Sequence, residues 1–544
     1  MSELRSGRSG RYVLLLKGFI LVMLLLQVGL LFRSDRAFLS QPYFEDTFYA
    51  MTVARWLAEG QGFTVDGVHP TNGVQPLICL LYAPSFMLSG GDLYLGLRFT
   101  MLLQIVLYTL VAWLATRFLV SMFRGEADRQ LLFWLAFALI FVNYALSVQF
   151  LNGLETSLVV GLTFLSLLQF NRLEERKEGG LAGYLGLGAL LGLTILARVD
   201  AIILLIALVL WKLYVGHKQY GDLKPKERLQ GGLRTLGALF MMGTGALIVS
   251  GPWWLYNVIM FGNPVPISGL SQQGLNPDQF LQVIETINVA LEAIIPGVVT
   301  PSPWRLLGIA WVGLALLLLI SAILLFSESA QSVARLTYTK VKHDWNLRKP
   351  APLAITMLGL ALFYTFFFRA PHFQARYLIL MTLTILLVVV MVVVSANRVP
   401  SMSTLFKKGS RLVVVLILSF SLFFFLRHYV NAYGNMMMST VDWIDENAGQ
   451  DERIGIFQSG TIGFLYPEKA INLDGKVNPE AFHAYKNQRL PRYVDSMDFD
   501  YIIDWKFYTD RIFYDSTLST QYRLVDTLTN HMGVWKKIDG RGGE

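Results

Sequence analysis

The residues equipped for chemistry sit between long apolar runs. The densest group opens as Tyr43-Phe44-Glu45-Asp46-Thr47-Phe48-Tyr49 and closes as Gly60-Gln61-Gly62-Phe63-Thr64-Val65-Asp66-Gly67-Val68-His69-Pro70-Thr71-Asn72-Gly73-Val74-Gln75. A carboxylate at a membrane boundary, Asp46 or Glu45, can serve as a general base that takes a proton from an acceptor hydroxyl. Asp46 is equally suited to cap the helix that follows, and the two roles are compatible. That helix is expected to be amphipathic, with Tyr49, Val53, Trp56 and Leu57 on one stripe and Glu45, Thr52, Arg55 and Glu59 on another. Such a pattern suits a helix lying along a membrane interface.

Other ionisable residues fall at the edges of apolar runs: Glu155, Arg198, Asp200, Arg369 and Arg376. Charges there are costly and mark a pathway, a site or a buried pair. Arg376 and Arg198 offer the planar guanidinium that suits a phosphate. Snorkelling to the interface is the alternative and is favoured for Arg369. For Arg198 with Asp200, a local ion pair is as good a reading. His69 and His372 could contact phosphate or a metal, but no His-x-x-x-His spacing is present, so no tightly bound structural metal is expected. A loosely bound divalent cation bridging Asp46 and a phosphate stays open. No phosphate-cradling Gly-x-x-x-x-Gly-Lys run and no serine-hydrolase elbow occur. The glycines of 186–192 read as helix packing, and Gly460-Thr461-Ile462-Gly463 as a turn.

The elements that must position these residues are membrane helices. The 544 residues are 54% hydrophobic and 15% charged, against about 25% charged in a soluble domain. Apolar runs of about 20 residues recur, so the fold class is mainly α, a polytopic transmembrane helical bundle. The first run, 12–32, follows Arg5, Arg8 and Arg11 and is too long for a signal-peptide core. Further spans are expected near 93–121, 131–149, 154–170, 182–197, 201–215, 236–258, 305–326, 351–369, 377–396 and 411–428, about eleven crossings in all. The net charge of +8 does not signal nucleic acid, because Lys and Arg gather in the short loops near 122–130, 212–234, 327–350 and 397–411. Placing those loops in the cytoplasm works if the short apolar stretch 76–90 does not complete a crossing.

That topology puts five polar clusters on the outer side: loop 43–75, Asn152-Gly153-Leu154-Glu155, Arg198-Val199-Asp200, the loop 261–269, and His372-Phe373-Gln374-Ala375-Arg376-Tyr377. One shared outward-facing cavity is the expectation. The chain divides into a transmembrane module, 1–429, with its first outer loop at 33–75, and a C-terminal extracytoplasmic domain, 430–544. That domain is expected to be α/β, with helices near 439–447 and 479–485 and strands near 453–457 and 501–504. The lone Cys79 excludes an intramolecular disulfide.

These patches in this order resemble the GT-C-fold membrane glycosyltransferases. More closely, the chain is similar to the bacterial branch related to protein mannosyltransferases and lipid-linked arabinofuranosyltransferases. The resemblance rests on the acidic pair after the first span, Phe63-Thr64-Val65-Asp66-Gly67, Pro70-Thr71-Asn72-Gly73-Val74-Gln75-Pro76-Leu77 and Asn152-Gly153-Leu154-Glu155-Thr156. Ala197-Arg198-Val199-Asp200, Gly262-Asn263-Pro264-Val265-Pro266, Arg376-Tyr377 and Asn472-Leu473-Asp474-Gly475-Lys476-Val477-Asn478 extend it over almost the whole chain.

The resemblance implies a polyprenyl-phosphate sugar donor, an inverting transfer to a glycan, lipid or protein acceptor, and location in the inner membrane. It implies Asp46 as base with Glu45 as the alternative, since the pair here is Glu-Asp rather than the family's Asp-Asp or Asp-Glu. It also implies Arg376, with Arg198 and His372, at the donor phosphate. His69, Asn72, Gln75, Glu155 and Asp200 are expected to line the substrate; Gln75 stands where relatives often carry His. Two other classes fit the topology, a flippase of lipid-linked glycans and a non-catalytic envelope assembly protein. Neither needs a loop carboxylate as base. No cofactor is required, and membrane lipids are the remaining expected partner.

Overall fold

The computed structural model describes residues 2–125, 129–176, 180–272, 293, 328–368, 375–399, 404–430, 437–514 and 516–538. Among the described residues, seven helices are long and apolar enough to cross a membrane: Gly10–Phe32, Leu93–Met122, Thr156–Glu175, Val199–Tyr220, Pro225–Phe261, Arg376–Asn397 and Phe406–Val430. The pair Arg129–Phe141 and Tyr144–Phe150, bent by 64°, makes an eighth if counted as one span. Shorter apolar helices, Leu181–Ala197 and Ala351–Phe366, fall on two more of the expected spans. The expected span at 305–326 lies outside the described residues. Pro76–Leu88 is a helix of 13 residues. At 1.5 Å per residue it is about 20 Å long, short of a hydrocarbon core of about 30 Å.

Local chemistry sets these boundaries. The Asp92 carboxylate accepts from Leu95 N–H at 3.0 Å and starts Leu93–Met122. Asn143 accepts from Leu146 N–H at 3.1 Å, restarting a helix inside the bent pair. Proline fills a first-turn position of Pro76–Leu88 and Pro225–Phe261, where no amide proton is needed. Helices Leu181–Ala197 and Pro225–Phe261 touch backbone to backbone: a Cβ on Gly188 would stand 2.1 Å from Met242 O, and one on Gly245 2.2 Å from Leu185 O. Small residues permit such approach where lipid provides no hydrophobic drive between helices.

The basic loops meet at one end of the bundle. Arg124 Nη1 donates to His343 O at 3.3 Å, Lys349 Nζ to Ser121 O at 2.7 Å, and Lys349 pairs with Glu175 at 2.6 Å.

Beyond the bundle the chain builds a five-stranded sheet, with β1 Ile454–Ile456, β2 Ala470–Asn472, β3 Tyr501–Trp505, β4 Tyr522–Thr527 and β5 Met532–Lys537. The order is β2-β1-β3-β5-β4, parallel from β2 through β3 and antiparallel across β5 and β4. Side chains alternate faces along a strand, and the two faces here have different partners. Ile454, Ile456, Tyr501, Ile503 and Val534 join the core that runs on into the bundle. Ile502, with Leu473, Leu490, Val494, Phe499 and Ile512, forms a second core on the far side. The sheet domain is therefore packed into the membrane module rather than tethered to it.

Candidate active site

Glu45 and Asp46 open the helix Glu45–Ala58. Its N-cap is Phe44 and no side chain caps it, so Asp46 does not cap this helix. Both carboxylates occupy the first turn, where the helix dipole favours negative charge. Successive helical residues point about 100° apart, and the two carboxylates find different partners. Asp46 Oδ2 accepts from Arg376 Nη2 at 2.8 Å. Glu45 faces the C-terminal domain: Oε1 accepts from Thr461 N–H at 2.8 Å and Oε2 from the Thr461 hydroxyl at 2.5 Å.

Burial acts to raise both carboxyls. At Glu45 it prevails and pushes the group up to about 7, against its Thr461 bonds. At Asp46 burial is outweighed by the charges of Arg376 and Lys476, which hold it below the usual aspartate range. About a third of the Asp46 side chain, 36%, remains open to solvent.

The helix is not the expected interfacial one. Thr47 through Ala54 are buried without a break, Thr52 of the supposed polar stripe among them. The reason is tertiary: Pro76–Leu88 covers one flank, and the short helix Gly460–Leu465 another. Residues 460–463, expected as a turn, begin that second helix. Phe464 packs on Phe48 at 5.5 Å between ring centroids, and Tyr49 Oη accepts from Ser459 N–H at 3.2 Å.

Arg376 is buried and stands at the head of Arg376–Asn397. One of its amino groups is bonded to Asp46. Its Nε and Nη1 are buried with no hydrogen-bond partner among the described residues. Burying unpaired donors on a cation is costly, so the same guanidinium that holds Asp46 keeps donors for a further acceptor. Arg198 has a different job. Its Nε donates to Asp200 at 2.7 Å, and its amino groups donate to Arg376 O at 3.3 Å and Tyr377 O at 3.4 Å. Asp200 also accepts from the Tyr364 hydroxyl. Arg198 and Asp200 thus form a strut beneath the turn that carries Arg376. Glu155 is buried just before Thr156–Glu175, and its charge acts on both arginines. His372 and Arg369 lie outside the described residues.

The remaining part of loop 43–75 builds a wall. Asp66 closes a turn, accepting from Val68 N–H at 2.9 Å, His69 N–H at 2.8 Å and bonding His69 Nδ1 at 2.8 Å. The bond to Asp66 raises the His69 imidazole above its usual value. Glu480 lies 3.8 Å from the other ring nitrogen. Asn72 is fully buried between elements: its Oδ1 accepts from Ile267 N–H at 3.1 Å and its Nδ2 donates to Asn257 at 3.3 Å. Gln75 holds the N-cap position of Pro76–Leu88, and its buried Oε1 has no hydrogen-bond partner among the described residues. Thr47 donates to Asn152 O at 2.6 Å. Loop 43–75 therefore touches 152–155, 262–268 and 376–377 in turn, and 198–200 joins through 376–377. Among the described residues no group of three or more His, Cys, Asp and Glu converges as a metal site would require.

Sequence reasoning passed over Thr461 and Lys476. Lys476 lies in the turn of Asn472-Leu473-Asp474-Gly475-Lys476, where an Asp-Gly pair signals only a bend. Its ammonium stands 3.4 Å from Asp474, which together with Asp46 raises it above the usual lysine range. Asn478, weighed as a sugar contact, is occupied within its own domain: its Oδ1 caps the helix Pro479–Lys486 and its Nδ2 donates to Asn472 O at 2.9 Å.

Solved structures share this architecture. ArnT from Cupriavidus metallidurans bound to undecaprenyl phosphate matches with a TM-score of 0.56 at 13% identity, over 97% of this chain and 98% of that one. Its apo state matches at 0.54, 12% identity and the same coverage. The Archaeoglobus fulgidus oligosaccharyltransferase, tethered to an acceptor peptide through a disulfide bond, matches at 0.50 and 12% identity, over 94% of this chain and 72% of that one. Residues 427–541 match a family described as a domain of unknown function (DUF8728). No curated protein matches. The chain has the GT-C fold of polytopic membrane glycosyltransferases, a helical bundle with a small C-terminal sheet domain.

Proposed function

We propose that this protein is an inverting glycosyltransferase that moves a sugar from a polyprenyl-phosphate donor to a hydroxyl of a glycan, lipid or protein acceptor. The observation that carries the reading is the Asp46–Arg376 pair, 2.8 Å apart, with two further buried Arg376 N–H groups unpartnered beside it. Arg376 donates those groups to the donor phosphate, a planar match to its oxygens. Asp46 takes the proton of the acceptor hydroxyl. The acceptor oxygen bonds to the anomeric carbon, the bond from that carbon to the phosphate oxygen breaks, and its electron pair leaves with the polyprenyl phosphate. A phosphate leaving group needs cations rather than a strong general acid. Engagement of Arg376 by phosphate also weakens its hold on Asp46, so the base strengthens once the donor is seated.

The basic loops, read by the positive-inside rule, support a site on the extracytoplasmic side of the inner membrane. The undecaprenyl phosphate carried by the similar ArnT structure supports a lipid-phosphate donor. Purified protein incubated with a panel of polyprenyl-phosphate sugars is expected to consume at least one of them. A panel left intact by wild type, under conditions in which each lipid is dispersed and an acceptor extract is supplied, overturns the proposal.

A further inference from the structure

We propose that Lys476, carried by the C-terminal domain, is the second cation of the donor-phosphate site and serves the leaving group. The inference rests on the function proposed above. It begins with how firmly the lysine is placed. The turn around it is cross-braced: Asn472 Oδ1 accepts from Gly475 N–H at 3.1 Å and Asp474 Oδ1 from Lys476 N–H at 2.8 Å. Gly475 has φ +75°, and a Cβ there would stand 2.6 Å from Phe482 Cα. The turn is then clamped onto the wall of the site. Thr71 Oγ1 donates to Val477 O at 2.6 Å, and a Cβ on Gly73 would stand 1.9 Å from Lys476 O. This close approach sets the Lys476 backbone against the first outer loop, and the lysine's charge acts on Asp46 in the same loop. Its own partner, Asp474, is 3.4 Å away, and the Asp474 Oδ2 is buried without a hydrogen bond. Asp474 holds the ammonium in place and is its closest charged neighbour.

Charge accounting gives the lysine a task. A sugar linked to a polyprenyl phosphate is a phosphodiester with one negative charge. When the bond from the anomeric carbon to oxygen breaks, the leaving polyprenyl phosphate becomes a monoester that carries about −1.5 to −2 at neutral pH. Arg376 and Lys476 each stand beside a carboxylate, Asp46 and Asp474, so before the donor binds the site holds two paired cations rather than one free one. The charge that develops as the bond breaks calls for another cation, and interactions made only then speed the reaction. The C-terminal domain, in this reading, completes the active site rather than only capping it.

The test measures binding of undecaprenyl phosphate and of undecaprenol, which lacks the phosphate, to purified full-length protein. Wild type is expected to prefer the phosphate lipid. Lys476→Met is expected to lose about tenfold or more of that binding while holding undecaprenol as wild type does, and Lys476→Arg to restore most of it. In turnover, Lys476→Met is expected to lower kcat more than it raises the KM for donor. Wild-type binding of undecaprenyl phosphate by Lys476→Met overturns the inference, and so does equal loss of both lipids, which marks a purely structural lysine. A wild type that does not distinguish the two lipids overturns the polyprenyl-phosphate reading itself.

Discussion

Glu45 and Asp46 are adjacent in the chain and opposite in electrostatic fate. Asp46 keeps its negative charge through its bond to Arg376, so Asp46→Asn is expected to abolish sugar transfer while preserving the fold, read as donor consumption beside a thermal melt. Near-wild-type transfer by that variant sinks the assignment of the base. Arg376→Ala is expected to weaken donor binding, and an unchanged apparent affinity counts against a phosphate contact. Glu45 is raised from 4.5 to about 7 by burial, so the folded state holds its proton more tightly than the unfolded chain does. Its contribution to stability is full below about pH 4.5 and is lost as pH rises through about 7. Hydrogen-exchange protection of the helix Gly460–Leu465 is therefore expected to fall between about pH 4.5 and pH 7 and to level off above that. Glu45→Gln is expected to flatten that dependence; a wild type already flat across the window refutes it.

At the scale of elements, the site depends on contacts between pieces far apart in sequence. The turn 472–478 fits against loop 43–75 only because residue 73 has no side chain. Gly73→Ala is expected to destabilise the protein by about 1–3 kcal/mol, the usual cost of forcing extra volume into a packed contact. Hydrogen exchange should show the loss concentrated in 470–480, with transfer falling in step. Thermal stability and exchange that match wild type would show that the two loops do not press together. Arg198 and Asp200 illustrate the same dependence from the bundle side, since Arg198 holds the Arg376 turn through the carbonyls of Arg376 and Tyr377.

For the molecule as a whole, the core continues from the bundle through Phe48 into Ile454, Ile456, Phe464 and Ile503 of the C-terminal domain. A chain ended after Val430 would expose that face. It is expected to lose its cooperative melt and aggregate on purification, whereas a well-folded truncated bundle would argue for two independent units. Reporter fusions after Gly221 and after Glu544 are expected to report opposite sides of the membrane. Finding both on one side breaks the proposed orientation.

Much of the architecture was legible in the chain itself. Apolar runs identify membrane helices because lipid leaves every backbone polar group to be satisfied within its own segment. Apart from 305–326, which lies outside the described residues, each expected span falls on a described helix or, at 131–149, on a bent helix pair, and the 76–90 stretch holds a helix of 13 residues. The strand-like runs at 453–457 and 501–504 and the helix expected at 479–485 likewise fall on β1, β3 and Pro479–Lys486. The candidate site was legible only in part. Asp46 and Arg376 stood out as charges where charge is costly, and their pairing across 330 positions is a fact of tertiary structure. Local pattern misread the helix Glu45–Ala58 as surface-lying, because the element that covers its polar stripe arrives 400 residues later. It also passed over Lys476, since an Asp-Gly-Lys turn looks the same whether it faces water or a reacting phosphate. Residue type and period express local physics, whereas which loop lies against which is decided by packing, and only the folded chain contains that information.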